Sequence, residues 1–129
     1  MDNYKVKIYY EDTDAGGVVY YANYLKYMER ARTELLSEKG IDVAAYHNEG
    51  YLFAVVNIDV HYRKPAVLGD IIDVTTEVNE VTNVTITLGH RIFRGKDLLV
   101  EATVRLACIN KNGKPQRLPE GFFLLLSVR

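Results

Sequence analysis

Cysteine is almost absent from this chain: Cys108 stands alone among 129 residues. One thiol cannot close an intramolecular disulfide and is too few for a cysteine-based zinc site, so the expected compartment is the reducing cytoplasm. Tryptophan is missing altogether, and proline occurs three times, at Pro65, Pro115 and Pro119, each beside an expected element end. No linker, repeat or low-complexity tract divides the chain, which reads as a single domain over residues 1–129. Apolar runs are short. Leu52 to Val56 and Phe122 to Leu126 fall far below the roughly 20 residues that cross a bilayer, and the polar, alternating N-terminal stretch lacks the charged-then-apolar pattern of a signal peptide. Charge of one sign is missing too: 16 Lys and Arg against 17 Asp and Glu leave a net charge of −1, with no basic block. No membrane insertion and no nucleic-acid partner are expected.

What is present is an ordinary globular composition, 48% hydrophobic and 26% charged, with ten tyrosines. Tyr24, Tyr27, Met28, Ala31 and Leu35 follow helical spacing, which predicts one long helix from about Tyr24, capped by Asn23 and closed at Lys39-Gly40. Asp42 to Asn48 reads as a short second helix closed by Gly50. Beyond it the period becomes two. Leu52, Ala54, Val56, Ile58, Val60 and Tyr62 form the apolar side of one long strand, and further strands follow through Ile72–Val78, Val84–Ile92 and Leu98–Leu106. Gly95-Lys96-Asp97 and Asn112-Gly113 are turns, and Tyr4 to Tyr10 is a first strand. The result is an α+β domain in which one helix covers one sheet face. The opposite face is expected to display Phe53, Val55, Ile71, Phe93, Leu99 and Ile109, an apolar surface that argues for an oligomer.

The chemistry-bearing segment runs from Tyr9 to Tyr24 and joins the first strand to the long helix. Gly16 and Gly17 let the backbone turn sharply, and the helix start beyond them offers N–H groups without internal partners, an environment that favours negative charge. Asp14, just before that turn, can act there on water or on a carbonyl carbon. The blander alternative is an acidic turn that merely caps a helix. A calcium loop is excluded: Asp12, Asp14 and Gly17 suit positions 1, 3 and 6, but Gly16 and Asn23 stand at positions 5 and 12.

The run Thr13-Asp14-x-x-Gly17-Val18-Val19, with Tyr21, Tyr24 and then Glu29-Arg30-Ala31-Arg32, resembles the active-site signature of the hotdog-fold acyl-CoA thioesterases of the 4-hydroxybenzoyl-CoA thioesterase family, especially their bacterial Tol-Pal-associated branch. Tyr62 to Ala66 and Gly69-Asp70 are similar as well. The resemblance implies a long antiparallel sheet wrapped around one central helix, dimers joined edge to edge, a homotetramer formed as a dimer of dimers, and an active site at the dimer interface. It implies Asp14 as the catalytic carboxylate, acting as general base or as nucleophile. The Tyr21 amide, aided by Val18 or Gly17, would polarise the thioester carbonyl. The substrate would be an acyl-CoA, with an acyl carrier protein as the other carrier of such thioesters, and no cofactor is called for. Tyr21 departs from the His of many branch members and matches the phenol of aryl-CoA relatives. Thr82-Asn83 lacks the arginines that those enzymes use for nucleotide phosphates, which leaves Arg63 and Lys64 as candidates, with Arg91, Arg94 and Lys96 behind them.

Other chemistries have little support. Ser37 and Ser127 lie in no nucleophile-elbow sequence, and Cys108, among apolar strand residues, reads as a buried inert thiol. His47, His61 and His90 show no metal-ligand spacing, so no metal is expected. Glu29 and Glu34 suit solvation or pairing with Arg30 and Arg32, and Glu29 is the reserve catalytic candidate because some hotdog enzymes place their carboxylate mid-helix. A hotdog dehydratase would need a His near the helix start, where this chain has none. A non-catalytic acyl-binding or scaffold protein of the same fold is the alternative from a different class.

Overall fold

A computed structural model describes residues 3–126; Ser127, named above, lies outside the described residues. The elements are β1 (Tyr4–Lys7), a 3-10 turn (Tyr10–Asp12), α1 (Asn23–Glu38), α2 (Val43–Asn48), β2 (Leu52–Tyr62), β3 (Ile71–Val81), β4 (Thr85–Arg94), β5 (Asp97–Ile109) and α3 (Phe122–Leu125). The strands form one antiparallel sheet in the order β1-β3-β4-β5-β2, with α1 laid along its concave face. This is the expected α+β hotdog arrangement. Tyr24, Tyr27, Met28, Ala31 and Leu35 of α1 are buried, as their spacing predicts, the first four against Ile72, Val74, Ile92 and Val100 of the sheet. A second cluster around Leu36, Ile86, Leu88, Val104 and Phe122 fills the far end of the sheet.

The ends of the helices follow local chemistry. Lys39 ends α1 and Gly40 follows at φ +88°. Asp42 caps α2 through its carboxylate, which accepts a hydrogen bond from the Ala45 amide at 3.2 Å. Asn23, expected as the cap of α1, is its first residue instead. Its side-chain amide reaches back to donate to the Asp12 carbonyl at 2.8 Å, because the chain is already helical at Ala22. The first strand is shorter than expected: Tyr10 belongs to the 3-10 turn, and Tyr9 precedes it with its amide donating to the Asp12 carboxylate at 2.8 Å.

The two sheet faces differ from the sequence expectation. Between Val55 and Asn57 the register of β2 against β5 slips by one residue, so Phe53 and Val55 lie opposite Cys108 and Leu106, on the concave side. One extra residue in a strand turns everything beyond it to the other face. Leu99 is likewise fully buried, beside a second slip between Ile92 and Phe93. Phe93 and Ile109 are half-buried, and Ile71 remains exposed as expected. The outer face is largely polar, with rows such as His61-Glu101-Arg91-Thr75 and Asp59-Thr103-Gly89-Glu77 running across the strands. Exposed apolar side chains line the edge strand β2, at Val55, Val56, Ile58 and Tyr62, and others stand outside it, at Tyr10, Ile71 and Leu124 among them.

Candidate active site

The segment between β1 and α1 is a small hairpin built from its own sequence. Thr13 bridges Val19, the Asp14 amide donates to the Val18 carbonyl at 2.9 Å, and the Gly17 amide donates to the Asp14 carbonyl at 3.1 Å. Gly17 has φ +82°, a conformation that glycine adopts without the steric penalty of a Cβ. Asp14 stands at the start of this turn, exposed, with its Oδ1 accepting the Gly16 amide at 2.8 Å. A Cβ at Gly16 would lie 3.3 Å from that same oxygen, so a bare backbone keeps the carboxylate accessible. One turn further, the Tyr20 amide donates to the Asp12 carbonyl at 3.0 Å and the Asn23 amide to the Tyr20 carbonyl at 2.8 Å. These bonds tie the start of α1 to the strand that carries Asp14.

Of the three amides expected near the carboxylate, that of Gly17 is engaged within the turn. Those of Val18 and Tyr21 have no partner among the hydrogen bonds of the described residues. The Tyr21 amide therefore lies at the mouth of α1 as an unspent donor, adding to the positive potential of a helix N-terminus.

Beside it is a pocket of about 220 Å³ walled by Val19, Tyr21, Tyr24, Tyr62 and Pro65, with Arg63 and Lys64 at its edge. The Tyr62 hydroxyl donates to the Tyr21 carbonyl at 3.2 Å, and its ring meets those of Tyr21 and Tyr24 at centroid distances of 6.3 and 5.7 Å. Burial pushes both the Tyr24 and Tyr62 phenols above their ordinary range, so they stay neutral donors or acceptors. A larger groove, about 300 Å³, lies on the outer sheet face over Gly89 and is lined mainly by Thr, Glu and Asn side chains. Of the sequence candidates for phosphate contact it holds Arg91, and it does not include Asp14, Tyr21, Arg63 or Lys64.

The loop from Pro65 to Asp70 braces the hairpin from outside. The Val19 amide donates to the Ala66 carbonyl at 2.9 Å, Val18 bridges Val67, and the Ala66 amide donates to the buried Tyr24 hydroxyl at 2.9 Å. Asp70 accepts the Val67 amide at 2.9 Å and Arg94 at 2.8 Å.

A carboxylate and an unspent helix-start amide, flanked by an aromatic pocket, form equipment that can activate water and polarise a carbonyl. Residues 9–123 match the thioesterase-like superfamily. The chain belongs to that superfamily. Among its relatives, a protein of Haemophilus influenzae named acyl-CoA thioesterase YbgC is 42% identical over 93% of this chain and 92% of its own length. The Escherichia coli O6:H1 protein named acyl-CoA thioester hydrolase YbgC is 39% identical, over 89% of this chain and 87% of its own length. The crystal structure of a probable thioesterase from Bartonella henselae superposes with a TM-score of 0.84 at 31% identity, covering 91% of this chain and 98% of the other.

Within this thioesterase-like framework the remaining sequence candidates separate by position. Arg63 and Lys64 stand at the pocket edge, but Arg63 pairs with Glu101 at 3.1 Å and Lys64 with Asp97 at 3.5 Å, all at the surface. Arg91 also reaches Glu101, at 3.4 Å, and Arg94 is taken by Asp70. Glu29 is exposed on α1, outside the pocket, and makes no ion pair among the described residues. Cys108 is buried and burial raises its thiol above the ordinary range. His47 and His61 are exposed, while His90 is buried between sheet and helix. The sequence offered Tyr62 and Asp70 through the family resemblance alone and Arg94 as a reserve phosphate contact; their place beside the site comes from the fold. The phase of the alternation did place Tyr62 on the concave face, whereas Gly69-Asp70 carried no site signal of its own beyond the family resemblance.

Proposed function

We propose that this protein is an acyl-CoA thioesterase that hydrolyses the thioester to the free acid and CoA. The observation that carries the reading is the pairing of Asp14 with the unspent Tyr21 amide across one short hairpin. Asp14 takes a proton from water as the oxygen attacks the thioester carbon, or attacks that carbon directly. The Tyr21 amide, with Val18 as a second donor, stabilises the oxyanion that forms. On the base route the C–S bond breaks as the intermediate collapses and the proton taken by Asp14 passes to the departing sulfur; on the direct route the thiolate leaves first, and water then cleaves the resulting Asp14–acyl anhydride, regenerating the carboxylate and supplying the proton to the thiolate. In a single turnover in heavy-oxygen water the base route puts label in the acid, whereas direct attack followed by cleavage of the anhydride at the Asp14 carbonyl gives unlabelled acid and leaves the label in Asp14.

The aromatic pocket suits an acyl group, and Arg63 and Lys64 meet the CoA phosphates by exchanging Glu101 and Asp97 for them. An acyl carrier protein presenting the same thioester is the second carrier to test. The protein works as a homo-oligomer: the edge strand β2, apolar on the concave side and with one free ladder, accepts a second copy edge to edge, and such dimers pair as a tetramer. Its compartment is the cytoplasm; no helix among the described residues is long and apolar enough to cross a membrane. The test is a free-thiol assay over short, long and aromatic acyl-CoAs. Turnover of any of them supports the enzyme, whereas binding of acyl-CoA without cleavage of any favours the non-catalytic acyl-binding alternative.

A further inference from the structure

We infer that the Asp70–Arg94 ion pair is a positioning pair for hydrolysis, holding the Pro65–Asp70 loop against the Gly17–Tyr21 segment so that the Tyr21 amide keeps its aim at the thioester carbonyl. This rests on the Asp14–Tyr21 reading above and adds to it two residues that do not touch the reacting atoms.

Backbone hydrogen bonds tie the far end of the loop to Ile8, whose amide donates to the Asp70 carbonyl at 2.9 Å and whose carbonyl accepts the Gly69 amide at 3.0 Å. Pro65, Val67, Leu68 and Gly69 are exposed and Ala66 alone is buried, so apolar burial contributes little to its position. Its hold on the sheet is polar. Arg94, at the end of β4, donates to the Asp70 carboxylate at 2.8 Å and to the Pro65 carbonyl at 3.3 Å, clasping both ends of the loop. The same Asp70 oxygen accepts the Val67 amide at 2.9 Å, which sets the middle of the loop. With side-chain exposures of 34% for Arg94 and 18% for Asp70, the pair is shielded well enough to be more than a loose surface contact. Burial alone raises the Asp70 carboxyl, yet the Val67 amide and Arg94 hold it below its usual range.

From the loop the constraint passes directly to the hairpin. Val19 donates to Ala66, Leu68 donates to the Gly17 carbonyl at 3.4 Å, and Val18 bridges Val67. Val19 lies two residues from Tyr21, and the buried Tyr24 hydroxyl, accepting the Ala66 amide, pins the first turn of α1 to the same loop. Loosening Arg94 thus shifts the donor and the helix start together, and small displacements at a reacting centre reduce rate steeply.

The experiment compares Arg94→Gln, Asp70→Asn, the double variant and Arg94→Lys with wild type and Asp14→Asn. The substrate is whichever of propionyl-, hexanoyl-, palmitoyl- or benzoyl-CoA the wild type cleaves fastest. Expected for Arg94→Gln and Asp70→Asn is a fall in kcat of about tenfold or more with KM within about twofold, and a double variant no worse than the worse single. Arg94→Lys should recover most of the rate. Amide hydrogen exchange should quicken at Val19 and Val67 while β4 and β5 keep their protection, a local pattern that general destabilisation does not produce. Folded variants with wild-type kcat and only a lowered Tm would overturn the proposal, as would exchange quickened across the whole sheet. If Arg94→Gln does not fold, Asp70→Asn and Arg94→Lys decide, and wild-type kcat in Asp70→Asn sinks the idea. Full activity in Asp14→Asn would remove the underlying reading itself, an outcome distinct from a failure of the pair alone.

Discussion

Asp14 sits in solvent on a turn rather than in a buried pocket, so its reach to a substrate depends on the backbone around it. The Gly16 amide fixes one carboxylate oxygen and Gly17 takes the one left-handed position of the turn. The sharp turn that carries Asp14 was legible because Asp and two glycines in a row before a helix constrain the chain strongly. Which amides remain free was not, because that depends on the hydrogen bond between the Gly17 amide and the Asp14 carbonyl, which no residue type announces. The cations at the pocket edge carry a prediction at the same scale. Arg63 and Lys64 are exposed and exchange partners readily, so replacing both by Ala should raise KM for acyl-CoA several-fold and leave kcat nearly unchanged. In the wild type KM should rise with added salt. Initial-rate kinetics at low and high salt check this, and a salt-independent KM in both proteins would assign phosphate recognition elsewhere.

At the scale of elements, α1 and the long strands follow from periodicity alone: 3.6-residue spacing through Leu35, then alternation from Leu52 onward. The face assignment of β2 failed at one place. The strand reads as a continuous alternation, but the slip at Val56 reverses its first half, and a bulge leaves no mark when two valines in a row, Val55 and Val56, suit either face. His90 shows what the packing of α1 on the sheet entails. Its ring is buried, with Nδ1 3.1 Å from the Thr76 hydroxyl and Nε2 without a partner. Burial first, and the nearby Arg32 second, lower its pKa to about 4. An unfolded His titrates near 6.5, so below that value the unfolded chain takes up a proton that the fold refuses. The associated stability is complete above about pH 6.5 and is lost as pH falls toward 4, with about 2 kcal/mol gone at pH 5. Thermal melts at pH 7 and pH 5 should therefore differ by roughly 5 °C more in the wild type than in His90→Gln. Equal slopes in the two proteins would contradict the buried neutral imidazole.

For the whole molecule, the polar outer face and the apolar edge at β2 move the weight of assembly from the sheet's back to its side. Ile58→Lys places a charge on a 41%-exposed apolar position of that edge, where a second copy would cover it. Sedimentation at micromolar concentration should show an oligomer for the wild type and a shift toward monomer, with loss of activity, for this variant. An active wild-type monomer would remove both the assembly and the shared site. The role of Asp14 in hydrolysis is decided by Asp14→Asn. The amide keeps the size and turn-forming capacity of the carboxylate, but it accepts no proton from water and attacks a thioester poorly. The measurement is kcat by free-thiol release, on protein shown by circular dichroism to be folded and by titration to bind acyl-CoA. Loss of the ionised carboxylate should lower kcat roughly 100-fold or more with binding largely retained. Near wild-type turnover in Asp14→Asn would contradict that role, and loss of turnover in Glu29→Gln alongside that result would move the carboxylate onto the helix.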